Sequence, residues 1–127
     1  MTGTARPVLK VRFYRTSSGA RPVREWLLSL TKEARREIGA DIGRVQWQWP
    51  VGKPLVDSFG GGLYEVRASY DRGQYRVLFY LENDALVLVH AESRRGTMVL
   101  VHGIHKKTQK TPAAVIALAR KRMKEGT

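Results

Sequence analysis

The sequence predicts an α+β domain: a small antiparallel sheet packed by an N-terminal helical hairpin and followed by a C-terminal helix. Three observations carry this expectation. Apolar residues alternate with polar ones in Val8–Tyr14, Leu63–Tyr70 and Gln74–Leu81, the pattern of half-buried strands. Between residues 22 and 49 the apolar spacing changes to three and four, the pattern of amphipathic helices. The chain closes on a Thr-Pro pair and a segment rich in Ala, Lys and Arg, Pro112–Lys124, which again reads as a helix.

In chain order, Met1–Pro7 is small and polar and is expected to be flexible. In Val8–Tyr14, Leu9, Val11 and Phe13 share one face, while Val8, Lys10, Arg12 and Tyr14 share the other. Pro22 opens a short helix whose stripe is Val23, Trp26, Leu27 and Leu30. Thr31 is the expected N-cap of a second helix, with Ala34, Ile38, Ile42, Val45 and Trp49 inward and Arg35, Arg36, Glu37 and Asp41 in water. Pro50 ends it. Trp26, Trp47 and Trp49 read as core or rim packing. Val51–Gly62, with its Gly and Pro residues, reads as loop and carries Lys53.

Asp71-Arg72-Gly73 supplies turn chemistry between Leu63–Tyr70 and Gln74–Leu81. Pairing Tyr70 with Tyr75 sets Ala68 opposite Val77, Val66 opposite Phe79 and Tyr64 opposite Leu81, a consistent core face. The other face then holds Glu65, Arg67, Ser69, Arg76, Leu78 and Tyr80, with Arg67 and Arg76 as diagonal neighbours. Two guanidinium groups so close need a negative partner. Glu65 in a cross-strand salt bridge and a bound oxyanion answer that need equally well.

Val87-Leu88-Val89-His90 recurs as Val99-Leu100-Val101-His102. The two copies read as a hairpin, with the turn-like Glu92–Thr97 between them. Gly103–Pro112 then reads as a short connection to the last helix, with Thr111 as N-cap and Pro112 at the first helical position. That connection concentrates His105, Lys106, Lys107 and Lys110 beside free helix N–H groups. A basic N-terminus opposes the helix dipole unless an anion binds there. A solvated basic loop is the plainer alternative. In the final helix Val115, Leu118, Ala119 and Met123 form the apolar side, and Arg120, Lys121 and Lys124 lie elsewhere.

The chain has 127 residues, enough for one domain, 1–127, with 43% hydrophobic residues. It contains 23 Lys and Arg against 11 Asp and Glu, a net charge of +12. Residues 101–127 hold seven of those cations and one acid, so a fifth of the chain carries half the net charge. Such a surface attracts polyanions, nucleic acid first. An absence of cysteine excludes disulfides and thiolate metal sites and fits a cytoplasmic location. No apolar run approaches the roughly 20 residues that span a bilayer, so no membrane partner is expected. Met1–Pro7 lacks the apolar core of a secretion signal.

Three histidines in these positions suggest no metal site, and Gly60-Gly61-Gly62 precedes a strand rather than a helix, so no dinucleotide fingerprint is present. No cofactor is expected. Arg67, Arg76, His105, Lys106 and Lys107 are instead suited to RNA cleavage by transesterification. In that reaction a 2′-hydroxyl attacks the adjacent phosphate and cations stabilise the phosphorane. His105, or a lysine whose pKa its neighbours depress, would move the protons. Lys110, Lys53, Tyr75, Tyr80 and Arg120 are the further candidates for RNA contact.

Leu63-Tyr64-Glu65-Val66-Arg67, Tyr75-Arg76-Val77-Leu78-Phe79-Tyr80, His105-Lys106-Lys107-Thr108-Gln109-Lys110-Thr111-Pro112 and the helix after them resemble HigB-type toxins of the RelE/ParE superfamily. These belong to bacterial and phage type II toxin–antitoxin modules. The likeness covers Val8 to Glu125. It implies a RelE/ParE-like fold and a metal-independent, ribosome-dependent mRNA endonuclease that inhibits translation. The implied partners are mRNA, the ribosome and a HigA-like antitoxin with a helix-turn-helix domain. By resemblance Arg67, Arg76, Lys106, Lys107 and Lys110 contact or stabilise RNA phosphate. Two other classes remain open: a non-nuclease inhibitor such as a ParE-like gyrase poison, and a basic nucleic-acid-binding accessory protein. Residues 82–97 depart from the family pattern. They are expected to form an extended hairpin or insertion that returns the lysine run to the side of Arg76.

Overall fold

The computed structural model describes residues 9–95, 99–101, 104–106 and 111–126, with 94–95, 99–101 and 104–106 described by backbone alone. Strand β1 (Lys10–Phe13) leads into α1 (Pro22–Ser29) and α2 (Lys32–Gln48). Four strands follow: β2 (Val56–Gly60), β3 (Leu63–Tyr70), β4 (Gly73–Glu82) and β5 (Ala85–Arg95). A short pair, β6 (Val99–Val101) and β7 (Ile104–Lys106), precedes α3 (Ala113–Glu125). The main sheet runs β1-β5-β4-β3-β2, and β6 and β7 pair with each other.

The expected α+β class holds, but the sheet is mixed rather than antiparallel: β1 runs parallel to β5, with Lys10 opposite Ala85 and Phe13 opposite Leu88. The region read as loop before Leu63 contains β2, which adds Val56 to the core. The two N-terminal helices start where capping predicts. Pro22 occupies the first turn of α1, and Thr31 Oγ1 accepts a bond from Ala34 N at 3.2 Å. Each helix packs chiefly on the sheet, α1 on β5 and β1 and α2 on β3, so they cover it side by side.

The hairpin between β3 and β4 turns through Asp71 and Arg72, both at positive φ (46° and 67°). A two-residue turn of this hand matches the strand twist, and Gly73 becomes the first residue of β4. The expected register is therefore corrected by two residues: Tyr70 pairs with Gly73, Ala68 with Tyr75, Val66 with Val77 and Tyr64 with Phe79. An even shift preserves the faces.

Both faces are covered. Under α1 and α2 lie Val23, Ile38, Ile42, Val45, Val66, Val77, Phe79, Leu86 and Leu88. Trp49 packs edge-on against Tyr64 and Phe79 with centroids 5.0 and 5.8 Å away. Trp47, expected to pack, is 49% exposed. On the opposite face Leu63, Leu78, Tyr80, Val87 and Val89 meet α3 through Ala119, Val115, Ile116 and Met123. Ile116 replaces the expected Leu118, which is exposed.

The repeated Val-Leu-Val segments do not pair as predicted. The first belongs to β5, and β5 continues through the expected turn to Arg95, opposite Gly73. The second belongs to β6, whose partner is β7, with Val99 opposite Lys106. A bulge at Val89 shifts the register, so Leu78 faces His90 while Phe79 faces Leu88. Like other bulges it re-aims the residues beyond it.

Helix α3 is tied down along its C-terminal half. Arg120 donates to the carbonyls of Phe59 and Gly60, at 2.9 and 3.2 Å. Arg122 donates to Val89 O at 2.7 Å and lies over the Tyr14 ring, 5.4 Å from its centroid. Tyr14 donates its hydroxyl to Glu125 Oε2 at 3.1 Å. Burial, and then the bond to Glu125, raise the Tyr14 pKa above 10.0. A raised phenol contributes stability that is fully present below its unfolded pKa near 10 and is lost as pH rises through the folded value. Tyr14→Phe should therefore cost about 1 kcal/mol at pH 7 to 9. That gap should close above pH 10, as read from denaturant unfolding across the series.

Candidate functional site

On the α3 face, alternation sends Glu65 and Arg67 of β3 to the same side as Arg76 and Leu78 of β4 and His90 and Glu92 of β5. The observed register sets Arg67 directly opposite Arg76, closer than the diagonal expected. Glu92 faces Arg76 from the other side. Beta carbons opposed in this way are about 5 Å apart.

Glu65 answers the repulsion. It has no solvent exposure. Its Oε1 stands 3.6 Å from Arg67 Nε and 3.7 Å from Arg76 Nε. Its Oε2 accepts a bond from Thr111 Oγ1 at 2.5 Å. Thr111 is thus not the helix cap it was expected to be: α3 begins at Ala113, and Pro112 occupies the cap position without a side-chain bond. A hydroxyl bonded to a buried carboxylate is worth more than a neutral cap, and the carboxylate would otherwise be buried at high cost. Arg76 is 5% exposed and further donates to Tyr75 O at 3.2 Å and Gln74 Oε1 at 3.0 Å. The Arg67 side chain is more open, at 21%. Beside the pair, His90 Nε2 and Glu92 Oε1 are 3.1 Å apart.

Where the chain enters β2, Leu55 O still accepts a bond from Arg67 N at 2.8 Å, and an open cleft of about 460 Å³ lies beside it. Among the described residues, Arg67, Arg76 and Gln74 line one side, and α2 supplies Glu37, Asp41 and Arg44 on the other. Pro54 and Leu55 add an apolar stretch of wall. Asp41 is not the solvated residue its place in the sequence suggested. Its side chain is 17% exposed and stands 3.6 Å from Arg44. Burial raises its pKa, Arg44 pulls it down and Glu37 raises it further. The signal was present as Glu37, Asp41 and Arg44 at spacings of four and three, one stripe bordering the apolar stripe of α2.

The remaining candidates divide. His105 and Lys106 lie in β7 and are described by backbone alone, and Lys107 and Lys110 lie outside the described residues. Thr111 nonetheless anchors the end of their segment at Glu65. Four residues separate Lys106 from Thr111, and the five steps between their Cα atoms reach at most about 18 Å. Among the described residues, the separate pair β6–β7 lies between β5 and α3 in the chain. Lys53 is exposed, 3.7 Å from the Asp57 carboxylate, and adjoins Pro54 of the cleft.

Three placements correct the sequence reading. Tyr75 points to the α1–α2 face, where its ring meets Trp26 edge-on at 6.1 Å. Tyr80 is on the opposite face, 2% exposed under α3, its hydroxyl 3.3 Å from Glu82. The two rings form no common stacking surface, because an odd separation along a strand parts them. Arg120 serves the turn before Leu63 instead of the Arg67 end of β3.

The family described as "Phage derived protein Gp49-like (DUF891)" matches residues 25–124. No curated protein matches the chain.

Arg76 is expected to be a stability residue as well as a site residue. Removing one partner of a buried ion pair costs about 3–5 kcal/mol when the other charge is stranded. Arg67 remains beside Glu65, so Arg76→Ala should cost about 3 kcal/mol and Arg67→Ala about 1. Urea unfolding of the two variants checks both the size and the order.

Proposed function

The chain belongs to the Gp49-like family of phage-derived proteins, within the broad RelE/ParE-like toxin group, and from that membership we propose a toxin that cleaves messenger RNA on the ribosome. The observation that carries this reading is the direct opposition of Arg67 and Arg76 at the wall of the cleft. Arg67, whose side chain is 21% exposed at that wall, can present its guanidinium to the negative charge that grows on a phosphorane.

In the proposed reaction the 2′-oxygen bonds to phosphorus and the bond to the 5′-oxygen breaks. The 2′-proton passes to His105 or to a lysine of Lys106, Lys107 and Lys110, and a second of these groups protonates the departing 5′-oxygen. No step calls for a metal ion. Arg67, the more open of the pair, faces the phosphate, while Arg76 holds Glu65 and Arg67 in position. A helix-turn-helix antitoxin is the proposed neutralising partner, and Lys53 and Lys110 would lie along the RNA.

A second reading is favoured by the burial of Glu65, which already balances one arginine: a non-catalytic inhibitor of a host factor, such as a gyrase poison. Induced expression followed by primer extension on cellular mRNA separates the two. Cleavage inside translated frames is expected, with Arg67→Ala reducing it by about a hundredfold while circular dichroism stays unchanged. Growth arrest with intact mRNA and broken DNA would replace this reading with the second.

A further inference from the structure

The cleft beside Arg67 carries two chemistries that one phosphate cannot satisfy. Its sheet side is cationic, through Arg67 and Arg76. Its helix side carries the carboxylates of Asp41 and Glu37. A phosphodiester backbone would be attracted by the first and repelled by the second. A ligand that fits both has an anion at one end and neutral N–H donors at the other. A nucleotide is such a ligand. The volume, about 460 Å³, lies in the range of small-molecule pockets. Pro54 and Leu55 offer the apolar surface that the flat of a base needs.

Asp41 is the better placed of the two acids. Its side chain is largely shielded from water, yet borders the cleft. Its partner Arg44 is more than half exposed, and a pair of that kind contributes little and opens readily. Burial and the nearby Glu37 charge disfavour the lone carboxylate, so donors brought by a ligand would be well received there.

We propose that Asp41, backed by Glu37, reads the edge of a guanine base in this cleft while the attached phosphate lies on Arg67. A carboxylate has two acceptor oxygens and no donor. Guanine presents N1–H and N2–H side by side and can give both. Adenine and cytosine offer an amino group beside a ring-nitrogen acceptor, which repels the second oxygen. Uracil offers one N–H between two carbonyls. The pocket therefore selects by hydrogen-bond pattern, which discriminates far more sharply than pocket size. As a statement about cleavage preference this rests on the RNA-cleaving reading above. As a statement about nucleotide recognition it is measurable without it.

The test is isothermal titration calorimetry of the full chain with the 3′-monophosphates of guanosine, adenosine, cytidine and uridine. The guanosine nucleotide should bind at least tenfold tighter than the other three. Asp41→Asn, which keeps the shape and replaces one acceptor with a donor, should abolish the preference for guanosine over the other three. Equal affinities, no binding of any of the four, or a guanosine preference intact in Asp41→Asn would each overturn the proposal. Primer extension keeps the two readings apart. Guanosine preference with uncut mRNA ends the endonuclease reading and leaves the base site standing. Cut mRNA with no guanosine preference does the reverse.

Discussion

A carboxylate shut away from water between two guanidinium groups holds this fold's polar half together. Glu65 comes from β3, Arg76 from β4, and the hydroxyl that completes the arrangement from Thr111, just ahead of α3. Leaving that charge uncompensated in a protein interior would cost several kcal/mol. The strands must therefore keep the register that sets Arg67 against Arg76, and the chain must return to the same spot before the last helix begins. The arrangement also partitions the sheet face. Below it, Leu63, Leu78, Tyr80, Val87 and Val89 lie dry under α3. Above it lies a polar strip of the arginines, His90 and Glu92, of which the arginines line the cleft.

Local periodicity carried most of the architecture. The stripes of α1 and α2, the cap at Thr31, and the β3–β4 hairpin with its two faces all follow from spacing and turn chemistry within a few residues. What escaped depended on contacts distant in the chain. The β1–β5 pairing joins residues 75 positions apart, and nothing in Lys10–Phe13 names its partner. The repeated Val-Leu-Val segments suggested each other as partners. Yet Val87 and Leu88 of β5 already pair with β4 on one side and β1 on the other, and β6 pairs with β7.

At the site, the arginine pair was legible because alternation alone brings it to one face. The role of Thr111 was not, since a Thr before Pro at a helix start has a ready local explanation in capping. Only the tertiary fold shows a buried acid competing for the same hydroxyl and winning. Asp41 was missed for a similar reason. On a helical wheel it borders water, and the fold then lays that border along the cleft that Arg67 and Arg76 also line. Tyr75 and Tyr80 erred the other way: nearness in sequence hid the parity that separates them.

The long reach of these contacts has a consequence for how the protein is born. Strand β1 leaves the exit tunnel first, yet its neighbour β5 follows only after both helices and three further strands have been made. Glu65 waits 46 residues for Thr111. At the usual pace of elongation that is a matter of seconds. Throughout that interval the nascent polypeptide lacks the clamp that steadies its arginine pair. Whatever the mature molecule does through that pair is thereby deferred until Thr111 has been made.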